Sequence, residues 1–180
     1  YSTHGYTLLG AGIEGATGQS IADVLDAELG SGLGLETLRA ENRDEENEYR
    51  TSLYNTNNSE ATADNISWKF LGGGLEASAY DLARFSGMLM DGEILSQVAL
   101  GQLWTVPESN TSYAMGWSVG TFQGEFSIRK DGSQTGANTY VRLFPELELG
   151  VVVLINRRNS DPDDLSRDVA NAILTVLPPP

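Results

Sequence analysis

The apolar pattern of this chain changes at Pro107, and that change limits the fold more than any other feature. Before it, apolar residues recur at helical spacing; after it, they alternate or run continuously. The second pattern predicts four strands, over residues 113–122, 125–130, 138–144 and 150–156. Residues 145–148 predict the turn of an antiparallel hairpin. The apolar run of residues 151–155 predicts a central strand covered on both faces.

Serine residues mark the predicted starts of three helices. Ser20, with Asp23 three residues later, resembles a capping box with a shorter acid. Ser78 and Asp81 repeat this pattern, and Ser96 precedes a shorter helix. Glycines predict where the first two end, at Gly30, Gly32, Gly34 and Gly92.

Three other segments complete the pattern. A first apolar segment is closed by Gly15 and Gly18. Residues 36–66 are polar and acidic and predict a long surface loop. A last helix is predicted after Asp161, because acidic residues favour a helix N-terminus. Its apolar residues recur every four positions, at Leu165, Val169, Ile173 and Leu177. This helix is expected to pack on the sheet.

Composition excludes several classes of function. The formal net charge is -14, from 25 acidic and 11 basic residues, so the surface repels nucleic acids and anionic membranes. The chain has no cysteine and one histidine, His4, which excludes disulfides and thiol catalysis and disfavours zinc. No apolar run reaches the roughly 18 residues of a membrane span. We therefore expect no metal, no cofactor, no nucleic-acid partner and no membrane span in this chain.

The length of 180 residues fits one domain. Residues 1–105 are predicted to be mainly helical with a long acidic loop. Residues 106–180 are predicted to form antiparallel strands followed by a C-terminal helix. The fold class is therefore α+β.

Six short blocks occur in the order found in one enzyme family. Residues 1–10 resemble a Tyr-Ser-Asn-x-Gly-Tyr-x-Leu-Leu-Gly block, and residues 73–85 resemble a Gly-Gly-Leu-x-Ser-Thr-Ala-x-Asp-Leu-Ala-Arg-Phe block. Residues 130–133, Lys-Asp-Gly-Ser, resemble a Lys-Thr-Gly-Ser or His-x-Gly third motif. Fainter matches cover residues 32–37, 115–117 and 145–156. Together these blocks resemble class C β-lactamases and their penicillin-binding-protein and esterase relatives.

The resemblance implies a β-lactamase/transpeptidase-like fold, an antiparallel sheet flanked by helices. This chain would be the C-terminal segment of one such domain over residues 1–180, giving the later strands, part of the helical region and the C-terminal helix. The implied activity is serine acyl hydrolysis of esters, D-amino-acid peptides or β-lactams, in the periplasm or outside the cell. The nucleophile, on a helical Ser-x-x-Lys, would come from an N-terminal segment of the same protein. This chain alone is expected to be inactive.

The resemblance also assigns the site. Tyr1 and Lys130 match the catalytic tyrosine and the third-motif lysine, and nearby cations make a tyrosine a better base by stabilising the phenolate. The backbone N–H of Ser133 would donate to the oxyanion. Gly132 would let the strand edge approach the substrate, because it has no side chain. We expect the Tyr1 hydroxyl about 3–6 Å from the Lys130 ammonium, with the Ser133 N–H facing the same cleft.

Two substrate-binding positions depart from the family pattern. Thr3 stands where the family has asparagine, and it lacks the amide's paired donor and acceptor. Asp131 replaces a small hydroxyl residue, and a carboxylate there would disfavour acidic substrates. Both departures favour an alternative, a non-catalytic scaffold or binding protein with the same fold. Without the resemblance, Tyr1 and Lys130 are an ordinary terminal residue and surface lysine, in an acidic binding domain.

Two formal motif matches are rejected as nucleophiles. Residues 127–130 fit Ser-x-x-Lys, but they are predicted to form a strand, in which Ser127 and Lys130 point to opposite sides. Residues 116–120 fit the nucleophile elbow of α/β-hydrolases. That motif requires a strand, a turn and a helix, whereas this segment is followed by more strand.

Overall fold

A computed structural model describes residues 1–110 and 112–177, and these form two compact units. The first unit holds Tyr1–Thr51 and Thr62–Arg84. The second holds Ser52–Ala61 and the chain from Phe85 onward. The expectation of one domain over residues 1–180 stays a prediction.

The first unit is mainly helical. Its elements are α1 (Thr3–Thr17), α2 (Ile21–Leu25), a π-helical turn (Asp26–Gly30), α3 (Ser31–Leu33), β1 (Arg39–Ala40), a 3-10 turn (Ser67–Lys69), β2 (Leu75–Glu76) and the start of α4 (Ala79–Met90). Ser20 caps α2 by accepting from the Asp23 N–H at 3.2 Å, which confirms the predicted start. The predicted helix continues past Leu25 as a π turn over Asp26–Gly30 and as α3, and it ends at Gly34, which has φ 66°. Just after the π turn, Gly32 lies so close to the Ala27 carbonyl that a Cβ would be 1.9 Å from its oxygen.

Charged side chains tie the acidic segment of the first unit to β2. Glu76 accepts from Arg39 at 2.8 Å and from Arg50 at 2.8 Å. Arg50 also donates to the carbonyls of Glu45 at 3.0 Å and Asn42 at 2.9 Å. Burial raises the pKa of Glu76, but these hydrogen bonds outweigh burial and hold the pKa below its usual value. Part of the predicted surface loop is therefore anchored by a half-buried ion cluster.

The start of α4 is fixed by Asp81. Its N–H donates to the Ser78 hydroxyl at 3.1 Å, which confirms the predicted cap. Its carboxylate accepts from the Thr37 hydroxyl at 2.6 Å and the Thr37 N–H at 2.8 Å. These two bonds lower the pKa of Asp81, because they favour the charged form.

The second unit contains one antiparallel sheet with the strand order β3-β4-β5-β6. Its elements are the end of α4, α5 (Gln97–Leu103), β3 (Ser118–Phe122), β4 (Glu125–Gln134), β5 (Ala137–Phe144), a 3-10 turn (Pro145–Leu147), β6 (Leu149–Ile155) and α6 (Pro162–Val176). All four predicted strands are present. β3 begins later than predicted because Gly116, at φ 85°, makes a turn just before it. β4 continues four residues past Lys130, to Gln134.

Helices cover both faces of this sheet. One face carries Phe144, Val151 and Val153, which pack with Ala170 of α6 in a buried core. Asp161 caps α6 by accepting from the N–H groups of Asp163 and Asp164 at 3.0 and 3.2 Å, as predicted. On the other face Ile128 and Leu143 are fully buried. There, Ser86 and Met90 of α4 approach Gly150 of β6.

A buried cation on the α6 face was not predicted. Arg142 of β5 is fully buried and forms an ion pair with Asp163 of α6. Its guanidinium lies 4.7 Å from the ring centroid of Phe122 and donates to the Ser166 hydroxyl at 3.3 Å. Burial lowers the pKa of Arg142. Asp163 also accepts from Arg167 at 3.0 Å, so one carboxylate serves two cations.

Candidate active site

The candidate residues lie in both units. Tyr1 and Thr3 belong to the first, and residues 130–133 belong to the second. The approach of the Tyr1 hydroxyl to the Lys130 ammonium stays a prediction.

Tyr1 is positioned by the segment that precedes β2. Its hydroxyl donates to the Gly72 carbonyl at 3.2 Å, and its ring centroid lies 5.6 Å from that of Tyr6. The side chain is otherwise accessible, because Tyr1 is 71% exposed. Ser2 follows and caps α1, accepting from the Gly5 N–H at 3.2 Å. The tyrosine therefore stands directly before the first turn of a helix.

The Gly72 contact depends on the absence of a side chain. A Cβ there would lie 2.7 Å from the Thr3 carbonyl oxygen and 2.8 Å from Thr3 Cγ2. Thr3 therefore packs against the loop that holds Tyr1. A Cβ on Gly73 would lie 3.0 Å from Lys69 Cε, so the Lys69 side chain folds along the same loop. Three consecutive glycines, residues 72–74, are the sequence feature that could have indicated this close packing. The contact of the Gly72 carbonyl with Tyr1 was not predicted.

Residues 130–133 lie on β4, in the part that pairs with β5 only. They pair with β5, Lys130 opposite Val141 and Ser133 opposite Asn138. The ladder between β3 and β4 ends at Arg129, immediately before this segment. Side chains alternate along a strand, so Lys130 shares a face with Ile128, away from α6. Asp131 and Ser133 project from the opposite face.

Gly132 is crowded by its cross-strand partner. A Cβ there would lie 2.7 Å from Thr139 Oγ1, and the Thr139 hydroxyl donates to the Gly132 carbonyl at 3.4 Å. The sequence indicated glycine at this position for access of substrate. The structure adds an internal reason, because Thr139 occupies the space of a side chain.

We expect Gly132→Ala to lower the free energy of unfolding by about 1–3 kcal/mol, the usual cost of overpacking. Adding Thr139→Ala removes Oγ1 and should restore much of the loss. Urea unfolding of the intact protein, the two single variants and the double variant measures the coupling. Strictly additive losses would contradict the contact.

Asn138 fixes the end of the third motif. Its Oδ1 accepts from the Ser133 hydroxyl at 2.9 Å, and its Nδ2 donates to the Arg157 carbonyl at 2.8 Å. Asn138 is buried, 9% exposed. The Ser133 side chain is thereby held on the protein, which leaves its backbone N–H as the group for the predicted oxyanion role. No sequence signal identified Asn138, because the partner of a strand residue depends on register.

Asp131 differs from its neighbours in β4 and β5. It is exposed, whereas its cross-strand partner Tyr140 is buried. Within residues 1–110 and 112–177 its carboxylate makes no hydrogen bond or ion pair. Arg129 lies two residues earlier on the same face and forms no ion pair with it. Asp131 therefore has no ion-pair partner in the described part of the chain.

The two rejected motifs lack the geometry of a nucleophile. Ser127 and Lys130 both lie on β4, three residues apart, so their side chains point to opposite faces. Ser118 begins β3, which is followed by β4 rather than by a helix. Both segments therefore have the strand setting that the sequence predicted. His4 packs against Trp68, with ring centroids 5.9 Å apart.

Neither a metal cluster nor a transmembrane helix is found in the described part of the chain. No three or more His, Asp or Glu side chains there come together as metal ligands. None of the described helices is both long enough and apolar enough to cross a membrane.

Comparison with known proteins identifies a family and a fold. Residues 1–175 match the Beta-lactamase family. The penicillin-binding protein homologue of Pyrococcus abyssi aligns with 97% of this chain and 42% of its own, at 22% identity and a TM-score of 0.81. The D-amino acid amidase of Ochrobactrum anthropi, complexed with D-phenylalanine, aligns over 98% and 61%, at 20% identity and a TM-score of 0.77. A class C β-lactamase from Rhodobacter sphaeroides aligns over 99% and 60%, at 20% identity and a TM-score of 0.74.

These matches show a β-lactamase/transpeptidase-like fold. The chain spans between 42% and 61% of the length of the three structures. No curated protein matches the sequence significantly.

Proposed function

Because this chain belongs to the Beta-lactamase family, we propose that the protein to which it contributes is a serine hydrolase acting through an acyl-enzyme. One observation carries the proposal: Lys130, Gly132 and Ser133 follow one another on β4, beyond the end of the β3 ladder. This part of β4 therefore offers a cationic side chain at Lys130, an edge without a side chain at Gly132 and a backbone N–H donor at Ser133. Esters, D-amino-acid peptides and β-lactams are the proposed substrates.

The proposed mechanism has two steps. A serine Oγ attacks the carbonyl carbon while Tyr1 Oη takes its proton, and the oxyanion is stabilised by the Ser133 N–H. The proton then passes to the leaving group as its bond to carbon breaks. In the second step a water attacks the acyl ester while Tyr1 Oη takes a proton from it, and that proton passes to the serine Oγ as its bond to the acyl carbon breaks. Lys130 stabilises the phenolate form of Tyr1 throughout.

The serine is proposed to lie on a helical Ser-x-x-Lys in a part of the protein outside residues 1–180. The chain spans at most 61% of the compared structures. The Ser-x-x-Lys that it does contain lies on β4 and lacks the required geometry.

A second candidate is a non-catalytic scaffold, which Thr3 and Asp131 favour. Thr3 packs against Gly72, and as threonine it lacks the amide expected to hold a substrate. Such a protein would keep the fold and bind acyl compounds without turning them over.

We expect the 180-residue chain alone to form no covalent adduct with a fluorescent penicillin and to leave a p-nitrophenyl ester intact. The intact protein, as its gene encodes it, should hydrolyse the ester and become acylated at the serine of a helical Ser-x-x-Lys. Peptide mass spectrometry locates the adduct. An adduct on a serine of residues 1–180 would contradict the assignment, and an intact protein that never acylates would favour the scaffold.

A further inference from the structure

Asp131 on β4 is exposed and directly precedes Gly132 and Ser133, the residues proposed to lie against the reacting carbonyl. Resting on the proposed function, we propose that Asp131 selects acyl substrates with a cationic group near the scissile carbonyl. The charge would lie within a few bonds of the carbonyl carbon. This assigns a specificity role and a substrate class to the site.

The first argument is the availability of the carboxylate. Asp131 is exposed and forms no ion pair or hydrogen bond with any side chain in the described part of the chain. Arg129 projects from the same face, two residues away, yet makes no ion pair with it. A charge that is not engaged by the protein remains available to a ligand.

The second argument is distance. Residues advance about 3.3 Å along a strand, so Asp131 lies roughly 7 Å from Ser133. Under the proposed function the Ser133 N–H contacts the carbonyl oxygen of the substrate. A substrate that extends along β4 from Ser133 toward Asp131 would therefore bring a group some four bonds from its carbonyl close to the Asp131 carboxylate, where opposite charges attract.

The third argument is that the Ser133 hydroxyl is not available to bind an anionic substrate. The Ser133 hydroxyl donates to Asn138 Oδ1 at 2.9 Å and is therefore engaged within the protein. A substrate carboxylate beside β4 would meet Asp131 instead of that hydroxyl. The net charge of -14 also attracts cations and repels anions at long range.

The test compares three p-nitrophenyl esters in the intact protein: a trimethylammonium-butyryl ester, its neutral tert-butyl isostere and a glutaryl ester. We expect the wild type to prefer the cationic ester over the isostere in kcat/KM and to disfavour the glutaryl ester. Asp131→Asn should reduce the ratio of cationic to anionic ester about tenfold at low ionic strength. The matched control is Asp168→Asn, which removes one exposed charge from α6.

The outcomes separate the two proposals. If the neutral ester is hydrolysed but Asp131→Asn leaves the ratio unchanged, the role of Asp131 is overturned and the hydrolase proposal stands. An equal change in Asp168→Asn would also overturn it, since net charge alone would then be responsible. If the intact protein hydrolyses none of the esters, both proposals fail.

Discussion

Asp163→Asn is expected to lower the free energy of unfolding by about 3 kcal/mol, because it leaves a buried guanidinium without its carboxylate. The side chain of Arg142 is 0% exposed and that of Asp163 is 32% exposed. The expected loss is therefore at the lower end of the range for buried pairs. The melting temperature should fall as well. Urea and thermal unfolding of the intact protein, followed by circular dichroism, measure both quantities.

Asp164→Asn provides a matched control. Asp164 lies in the same first turn of α6, and Asp161 caps its N–H as it caps that of Asp163. Both substitutions remove one charge that favours a helix N-terminus, which is worth about 0.3–1 kcal/mol. Only Asp163→Asn also breaks the ion pair with Arg142. Equal losses in the two variants would contradict a stabilising role for that pair.

Arg142→Met tests whether the loss of stability in Asp163→Asn comes from the missing attraction or from leaving the Arg142 charge buried without its partner. It removes the buried cation and fills most of its volume, while Asp163 keeps Arg167 as a partner. Replacing a buried ion by an apolar side chain is often close to neutral. We therefore expect a smaller loss than in Asp163→Asn. A larger loss in Arg142→Met than in Asp163→Asn would mean that the packing of Arg142 on Phe122 contributes more to stability than its ion pair does.

The same pair affects stability in acid. Burial raises the pKa of Asp163, but hydrogen bonds from Arg167 and Tyr140 outweigh it, and the pKa is below its usual value. A carboxyl with a lowered folded-state pKa adds stability above its unfolded pKa, about 3.9, and loses it as the pH falls through the folded value. Asp163→Asn should therefore make the loss of stability below about pH 4 less steep, as urea midpoints across that range would show.

Elements that depend on residues close together in the sequence were predictable. Ser20 and Asp161 cap helices through bonds to N–H groups two or three residues away, so the sequence contains both partners at fixed spacing. The four strands follow from alternation and the turn at residues 145–147, and α6 follows from its apolar spacing. The end of β4 was missed by four residues because its pairing depends on the length of β5.

Contacts between distant residues were not predictable. Arg142 in a strand resembles any exposed arginine until α6 places Asp163 beside it. Likewise, the Gly72 carbonyl meets the Tyr1 hydroxyl across 71 positions. The family resemblance supplied the proposed roles of Tyr1 and Lys130, whereas the crowding of Gly132 by Thr139 required the register of two strands.

Removing either of the side chains proposed to be catalytic, Tyr1 or Lys130, should lower turnover by a factor of roughly 100 or more, the usual size of a general acid–base contribution. Under the proposed mechanism, Tyr1→Phe removes the atom that takes the serine proton, and Lys130→Met removes the cation that stabilises the phenolate. Both effects act on charge that develops in the transition state. We therefore expect kcat and kcat/KM to fall together, with KM for a p-nitrophenyl ester changing little. Steady-state kinetics of the intact protein measure these parameters.

The controls distinguish chemistry from folding. Tyr1 is 71% exposed, so Tyr1→Phe should change the free energy of unfolding by no more than about 0.5 kcal/mol. Tyr6→Phe alters the ring neighbour of Tyr1 without touching its hydroxyl, and Arg129→Met removes a cation from the opposite face of β4. Neither should lower turnover more than a few-fold. If Arg129→Met matched Lys130→Met, the loss would reflect the positive charge of β4 as a whole. An undiminished kcat in Tyr1→Phe would remove the tyrosine from the mechanism, since no other part of its side chain accepts a proton.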